Sequence, residues 1–284
     1  MTAFWGEVVG TAILIFLGGS VCAGTALKKS FAHNAGWFAI QFAWGLAVTL
    51  AIFTVGKYSG AHLNPVITLV FAFSGTFPWE QVPDYIIAQF IGTMIGSTGV
   101  FLQFFPHWKE TKDPNAILGV FATSPAIQHT FSNILSEILA TFILVLGILS
   151  IGANKFTEGL HPIAVGFLII TLGLSLGGST GAALNPARDL GPRIMHCLLP
   201  IPGKGHSNWR YAWIPVAGPI LGGCMGGFFY NSVFYGKMTF ELLITLGLTT
   251  LVLIFSYLSG MKKQKIIKKK IKTEQHPIVT NGMS

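Results

Sequence analysis

Charge is what this chain has least of. Asp, Glu, Lys and Arg make up 10% of its 284 residues, against about 25% in an ordinary soluble domain. So few ionised groups cannot cover a water-facing surface, and a soluble globular protein is excluded. Cysteine is scarcer still. Cys22, Cys197 and Cys224 are odd in number and far apart, which gives neither a complete disulfide framework nor a clustered thiolate site. There is no His/Cys cluster at metal-ligand spacing and no Ser-His-Asp arrangement, so a membrane enzyme finds no support and neither metal nor cofactor is expected. The first apolar run lacks a basic leader and an obvious cleavage site, which argues against a cleaved signal peptide. The net charge of +8 does not point to nucleic acid, because seven lysines fall between Lys262 and Lys272. The excess belongs to a tail.

Apolar residues are what the chain has in plenty. They make up 51% of it, with a mean hydropathy of +0.62. The apolar runs approach the roughly 20 residues that cross a bilayer. Six spans are predicted, at 5–27, 36–56, 83–105, 131–151, 161–176 and 211–235. The order repeats. A first half, 1–105, and a second half, 131–235, each hold three spans and one half-span, joined by a polar, proline-bearing loop at 106–130. Three crossings is an odd number, so the second half enters from the opposite side, giving an inverted repeat. The expected fold is an all-α membrane bundle of six spans and two re-entrant half-helices. Gly218, Gly222 and Gly226 recur every fourth residue, a stripe suited to close helix packing.

Two near-copies of one motif mark the half-spans. Residues 60–68 read GAHLNPVIT and residues 181–193 read GAALNPARDLGPR. In each, Asn is a preferred N-cap and the following Pro has no N–H to lose in the first helical turn. Each copy is therefore a helix start, with Asn64-Pro65-Val66 at one and Asn185-Pro186-Ala187 at the other. The run after Asn64 is about half a membrane thick, so it must enter and turn back, which is tolerated only in protein or beside an aqueous cavity. Two inward-pointing helix N-termini bring unpaired N–H groups and about half a positive charge each. The asparagine amides can donate to a neutral solute. The segments before them, with Gly60, Ala61, His62 and Leu63 on one side and Gly181 and Ala183 on the other, offer carbonyl acceptors. Glu7 and Glu137 occupy matching places in the first and fourth spans. They are expected to accept hydrogen bonds from the backbone of these irregular loops, because intramembrane carboxylates face inward.

The paired motifs, the EVVGT and EILAT helix starts and the inverted repeat resemble the aquaporins, and NPARDLGPR resembles their glycerol-facilitator branch. The resemblance covers about 5–235. It implies a pore in each subunit, a homotetramer, a multi-pass protein of the plasma membrane whose partners are the lipid bilayer and small neutral solutes such as glycerol, urea and water, and no enzyme activity. Counting from the motifs, as the resemblance directs, places the selectivity filter at Trp44, Gly173, Ala182 and Arg188. Gly173 stands where water-selective members carry His, so the pore is expected to admit a carbon chain. Trp44 would face C–H groups and Arg188 would donate to hydroxyls and oppose cations. Asp189, Arg193 and Pro215 also resemble the glycerol branch. Val66 departs from the usual Ala and has to be fitted where the half-helices meet. Ala182 departs from the aromatic of bacterial facilitators and lowers one wall. The expected function is passive conduction of glycerol and other small neutral solutes, with water. The alternatives are a mainly water-conducting channel and an ion-coupled transporter, which would need a titratable relay at the midplane.

The segment 238–258 has no counterpart in a six-span pattern. It is apolar on all faces and long enough to span. Spanning would place the basic tail, 259–284, on the side opposite the amino terminus, whereas lysines beside a helix end favour the cytoplasm. An interfacial position would avoid that conflict, but an interfacial helix should be amphipathic. The segment is expected to be a membrane-embedded helix outside the pore bundle, followed by a flexible basic tail, with crossing and interfacial placement both open.

Overall fold

In a computed structural model of the chain, residues 1–156, 159–236 and 239–275 are described, with side chains as far as residue 261. Regular structure among them is helical. The helices are α1 (Ala3–Ala26), α2 (Gly36–Ser59), α3 (Pro65–Phe73), α4 (Val82–Gln103), α5 (Pro114–Phe121), α6 (Thr130–Gly152), α7 (Leu160–Leu176), α8 (Pro186–Leu198), α9 (Ile214–Tyr235) and α10 (Phe240–Gln275). α1, α2, α6 and the segments Trp79–Gln103 and Phe240–Met261 are long and apolar enough to cross a membrane. α7, with 17 residues, is shorter.

Glycine sets how closely the spans approach. α1 and α4 run parallel: a side chain added at Gly92 would meet Val8 O, and one at Gly96 would meet Ala12 O. α6 and α9 repeat this in the second half, where Gly222 sits against Ile138 O and Gly226 against Phe142 O. Backbone-to-backbone contact of this kind is what small residues permit where lipid supplies no hydrophobic drive between helices. α2 and α7 run antiparallel and join the halves, with Gly45 against Gly166 O. The two half-helices fill the space between. α3 packs on α9, where Val70 meets Gly227, and α8 packs on α4, where Thr93 meets Gly191.

The connection 106–130 is not simply a polar loop. It holds the 3₁₀ turn Phe105–Glu110 and the short helix α5. Trp108, Ile117 and Phe121 are buried in one cluster with Ala23, Leu27 and Phe101, at the end of the bundle where α1 and α4 finish. The prolines hid an apolar face in AILGVF that needs a partner.

α10 starts at 240 and runs through the expected start of the tail, 259, to Gln275. At 36 residues it is about 54 Å long, well beyond the roughly 30 Å hydrocarbon core. It follows the end of α9 and lies back along it. Val252 and Leu253 pack with Ile134 and Ile138 of α6 and with Ile214 of α9, and the Tyr257 ring is 5.9 Å from Phe131 at the start of α6. The helix therefore traverses the bundle height rather than lying along one rim. Thr245, Thr249 and Ser256 are its buried face. The part of the expected tail at 276–284 lies outside the described residues.

Candidate functional site

Each half-helix begins at its asparagine. Asn64 Oδ1 accepts from Val66 N at 2.9 Å. Asn185 Oδ1 accepts from Ala187 N at 3.0 Å and Arg188 N at 3.1 Å. The remaining amide atoms cross between the repeats: Asn64 Nδ2 donates to Leu184 O at 3.0 Å and Asn185 Nδ2 to Leu63 O at 2.7 Å. One N–H of each amide is thus committed to protein, and the second finds no acceptor among the described residues. Leu63 O, expected as a solute acceptor, is partly taken by Asn185.

The approach to each asparagine is left-handed at alternate residues. Ala61 has φ 52°, Leu63 54°, Ala182 47° and Leu184 57°. Such angles cost a non-glycine residue about 1 kcal/mol or more each. Two buried carboxylates hold them. Glu7 Oε1 accepts from His62 N at 2.9 Å and Ser59 Oγ at 2.7 Å; Oε2 accepts from Leu63 N at 2.7 Å and Gln89 Nε2 at 2.8 Å. Glu137 accepts from Ala183 N at 3.1 Å and Leu184 N at 3.3 Å. Ser59 and Gln89 were not singled out in the sequence.

A single cavity of about 730 Å³ passes both motifs, lined by Gly60, Ala61, His62 and Leu63, by Gly181, Ala182 and Ala183, and by both asparagines. Leu14, Val48, Ile52, Ile148 and Ile169 make the other walls apolar. His62 bonds Thr68 Oγ1 through Nδ1 at 3.1 Å and packs edge-on against Phe71 and Phe77. Toward the other end, Trp44, Gly173, Ala182 and Arg188 line the same space. The Arg188 guanidinium carbon lies 4.1 Å from the centroid of the Trp44 ring, within cation–π range. The guanidinium finds no hydrogen-bond acceptor among the described residues, so its donors face the cavity.

Two sequence expectations are corrected here. Val66 does not touch the passage. It is fully buried against Gly223 of α9 and Val145 of α6, so its extra methyls are accommodated away from the contact of the half-helices. The gap beside Gly173 is also not empty. The Gln41 side chain lies over Gly173, where a Cβ would collide with its Oε1, and Trp37 Nε1 donates to Gly173 O at 3.1 Å. Gln41 is a polar residue in the first half of a mainly apolar span. It stands outside both motifs, so only the pairing of α2 with α7 reveals it.

Asp189 and Arg193, one turn apart within the second half-helix, form a fully buried ion pair at 2.7 Å. Asp189 Oδ2 also accepts from Thr123 N and Oγ1, while Arg193 donates to Ser207 O and Thr123 O. They tie α8 to the loops around it rather than lining the cavity. Pro215 sits in the first turn of α9, buried, where it costs no helical hydrogen bond.

The family described as "Major intrinsic protein" matches residues 1–230. The glycerol uptake facilitator protein of Bacillus subtilis is 60% identical over 257 residues, 90% of this chain and 94% of that protein. A probable glycerol uptake facilitator protein of Thermotoga maritima is 52% identical over 234 residues, 82% of this chain and all of that protein. Among solved structures, the aquaglyceroporin of Plasmodium falciparum superposes with a TM-score of 0.70 at 29% identity, covering 81% of this chain and 95% of that one. The crossed asparagines, the buried glutamates and the arginine over tryptophan are thus set in a chain that belongs to the major intrinsic protein family of multi-pass membrane proteins.

Proposed function

We propose that the chain is a passive channel of the plasma membrane for glycerol and other small neutral solutes, with water, and acts as a channel rather than an enzyme. The observation that carries this is the pairing of Arg188 with Trp44 at one level of an otherwise apolar cavity. A polyol has hydroxyls along one edge and C–H groups along the other. Arg188 can donate to the first while the Trp44 face receives the second. Ala182 adds only a methyl group at the same level, and Gly173 adds no side chain beside the Gln41 carboxamide. The names of the similar bacterial proteins, glycerol uptake facilitators, support the same substrate. Exclusion of ions follows from the Arg188 charge and the two helix N-termini at Asn64 and Asn185. Glu7 and Glu137 hold loop backbone and neither lines the cavity, which argues against a carboxylate relay for ion coupling. Assembly as a homotetramer belongs to this reading.

The test is stopped-flow light scattering on proteoliposomes. Glycerol and urea should enter faster than into protein-free vesicles, at a rate indifferent to imposed proton or sodium gradients. Glycerol entry at the protein-free rate, or entry that follows a gradient, would overturn the proposal.

A further inference from the structure

Gln41 has no task in the scheme above. It is 6% exposed and lies three residues before Trp44 on α2. That places both on one helix face, about 4.5 Å apart along the axis. Its carboxamide makes no hydrogen bond to any described residue. Nor is either of its polar atoms sealed among the buried unpaired groups, such as Gln89 Oε1 and Thr141 Oγ1. Gln41 lines the cavity together with Gly173, Ala182 and Arg188. A buried amide without a protein partner costs free energy unless something else pairs with it, and here the cavity contents are what remains to do so.

From this we infer that Gln41 is a specificity-determining residue whose carboxamide hydrogen-bonds the hydroxyls of a solute at the level of Gly173. The inference rests on the reading of Trp44, Gly173, Ala182 and Arg188 as the constriction. The chemistry has a use for such a group beside the loop carbonyls at 181–183. A guanidinium only donates, so a hydroxyl that accepts from Arg188 still has its own proton to place. Gln41 Oε1 accepts that proton and Nε2 donates to a second hydroxyl. Gly173 is required for the same reason, since any side chain there would displace the amide. The channel then distinguishes solutes of equal width by how many hydroxyls they carry.

Glycerol and propane-1,2-diol have the same carbon chain and differ by one hydroxyl. In proteoliposomes of the full-length protein, Gln41→Leu keeps the bulk and removes the hydrogen bonds. The ratio of glycerol to diol permeability should fall about two- to tenfold, the worth of one neutral hydrogen bond, with water flow retained. A ratio equal to that of the wild type, or a uniform rise or fall for water, glycerol and diol, overturns the role of Gln41 and leaves it a packing residue. Should Gln41→Leu fail to reach the membrane, Gln41→Met, unbranched and of similar length, carries the same measurement. A wild-type protein that conducts no glycerol defeats the reading of the constriction itself, and that result is separate from the ratio.

Discussion

Replacing Glu7 tests whether the carboxylate is what keeps the first motif open. It accepts four hydrogen bonds of 2.7–2.9 Å, two of them from the backbone of His62 and Leu63. Glu7→Leu leaves those two N–H groups buried and unpaired, at about 1–3 kcal/mol each. It also releases Leu63 from a left-handed angle that the carboxylate holds. Glu7→Gln is the discriminating variant, because its amide can face either pair of donors. If it faces Gln89, that side chain must turn its unpaired Oε1 toward the new N–H₂, which gives up the Nε2 bond to Thr68 Oγ1, and the Leu63 N–H also loses its acceptor. If it faces Ser59, the hydroxyl can rotate to accept, and only the His62 N–H is lost. The second arrangement is the less costly, at about 1–3 kcal/mol for one unpaired amide. The expected order of stability is wild type, then Glu7→Gln, then Glu7→Leu. Detergent-solubilised protein would be heated and the protein left unaggregated measured by size-exclusion chromatography, alongside glycerol flux. Glu137→Gln should cost less than Glu7→Gln, since Glu137 holds Ala183 and Leu184 at 3.1 and 3.3 Å. A Glu7→Leu protein as stable and as permeable as the wild type would refute the reasoning. So would Glu7→Gln failing as completely as Glu7→Leu.

Gly173→His must expel Gln41 from its place and fill the level of Arg188, so glycerol flux should fall by an order of magnitude or so while water flow persists; equal loss of both in an assembled channel would show that the constriction lies elsewhere. Arg188→Ala removes the unpaired charge facing the cavity and should raise ion leak and loosen solute choice, read as the decay of a pH or potassium gradient across the vesicles. An unchanged leak would remove the barrier role from Arg188.

The parts of this site that were legible in the sequence are those that occur twice or act locally. Asn-Pro is a helix start by its own chemistry, and its repetition in GAxLNP showed that two such starts meet. Glu7 and Glu137 were legible because an intramembrane carboxylate needs donors, and irregular backbone supplies them. The parts that stayed hidden depend on which helices are neighbours. α4 presents Gln89 to Glu7, while α9 presents Gly218 to Glu137. The repeats therefore differ in how firmly each motif is held, and no spacing rule reports that. Val66 looked like a constraint on the pore until Gly223 was seen opposite it. Gln41 went unnoticed in the sequence because only α7 brings Gly173 against it. α5 was concealed by its prolines, although Ile117 and Phe121 complete a cluster built by the ends of α1 and α4.

The basic tail gives the last prediction. α1 begins and α2 ends at one end of the bundle, as Gly6 against Ser59 shows. α7, antiparallel to α2, starts at that same end. α6 and α9 therefore start at the other. α10 sets out from the end of α9 and reaches Phe131 at the start of α6, so Met1 and the end of α10 at Tyr257 lie at opposite ends of the bundle. Lys28 and Lys29, just past α1, and Lys109 and Lys112, beyond α4, lie at the end the tail reaches. Lys57 in the last turn of α2 and Lys155 after α6 lie at the opposite, amino-terminal end, so lysines near helix ends, which favour the cytoplasm, stand at both ends. The crossing of α10 is set by packing on α6 and α9, which a sequence-wide charge count does not register. The pair Thr2→Cys and Lys265→Cys, each in a background with the exposed Cys197 changed to Ser, tests this with a membrane-impermeant thiol reagent on intact cells. One of the two should be labelled from outside and the other only after lysis. Labelling of both from the same side would show that α10 does not cross. Deleting everything after Gly236 should leave glycerol flux intact in channels that reach the membrane, because α10 packs outside α6 and α9. Loss of flux at normal abundance would mean that the helix supports the pore.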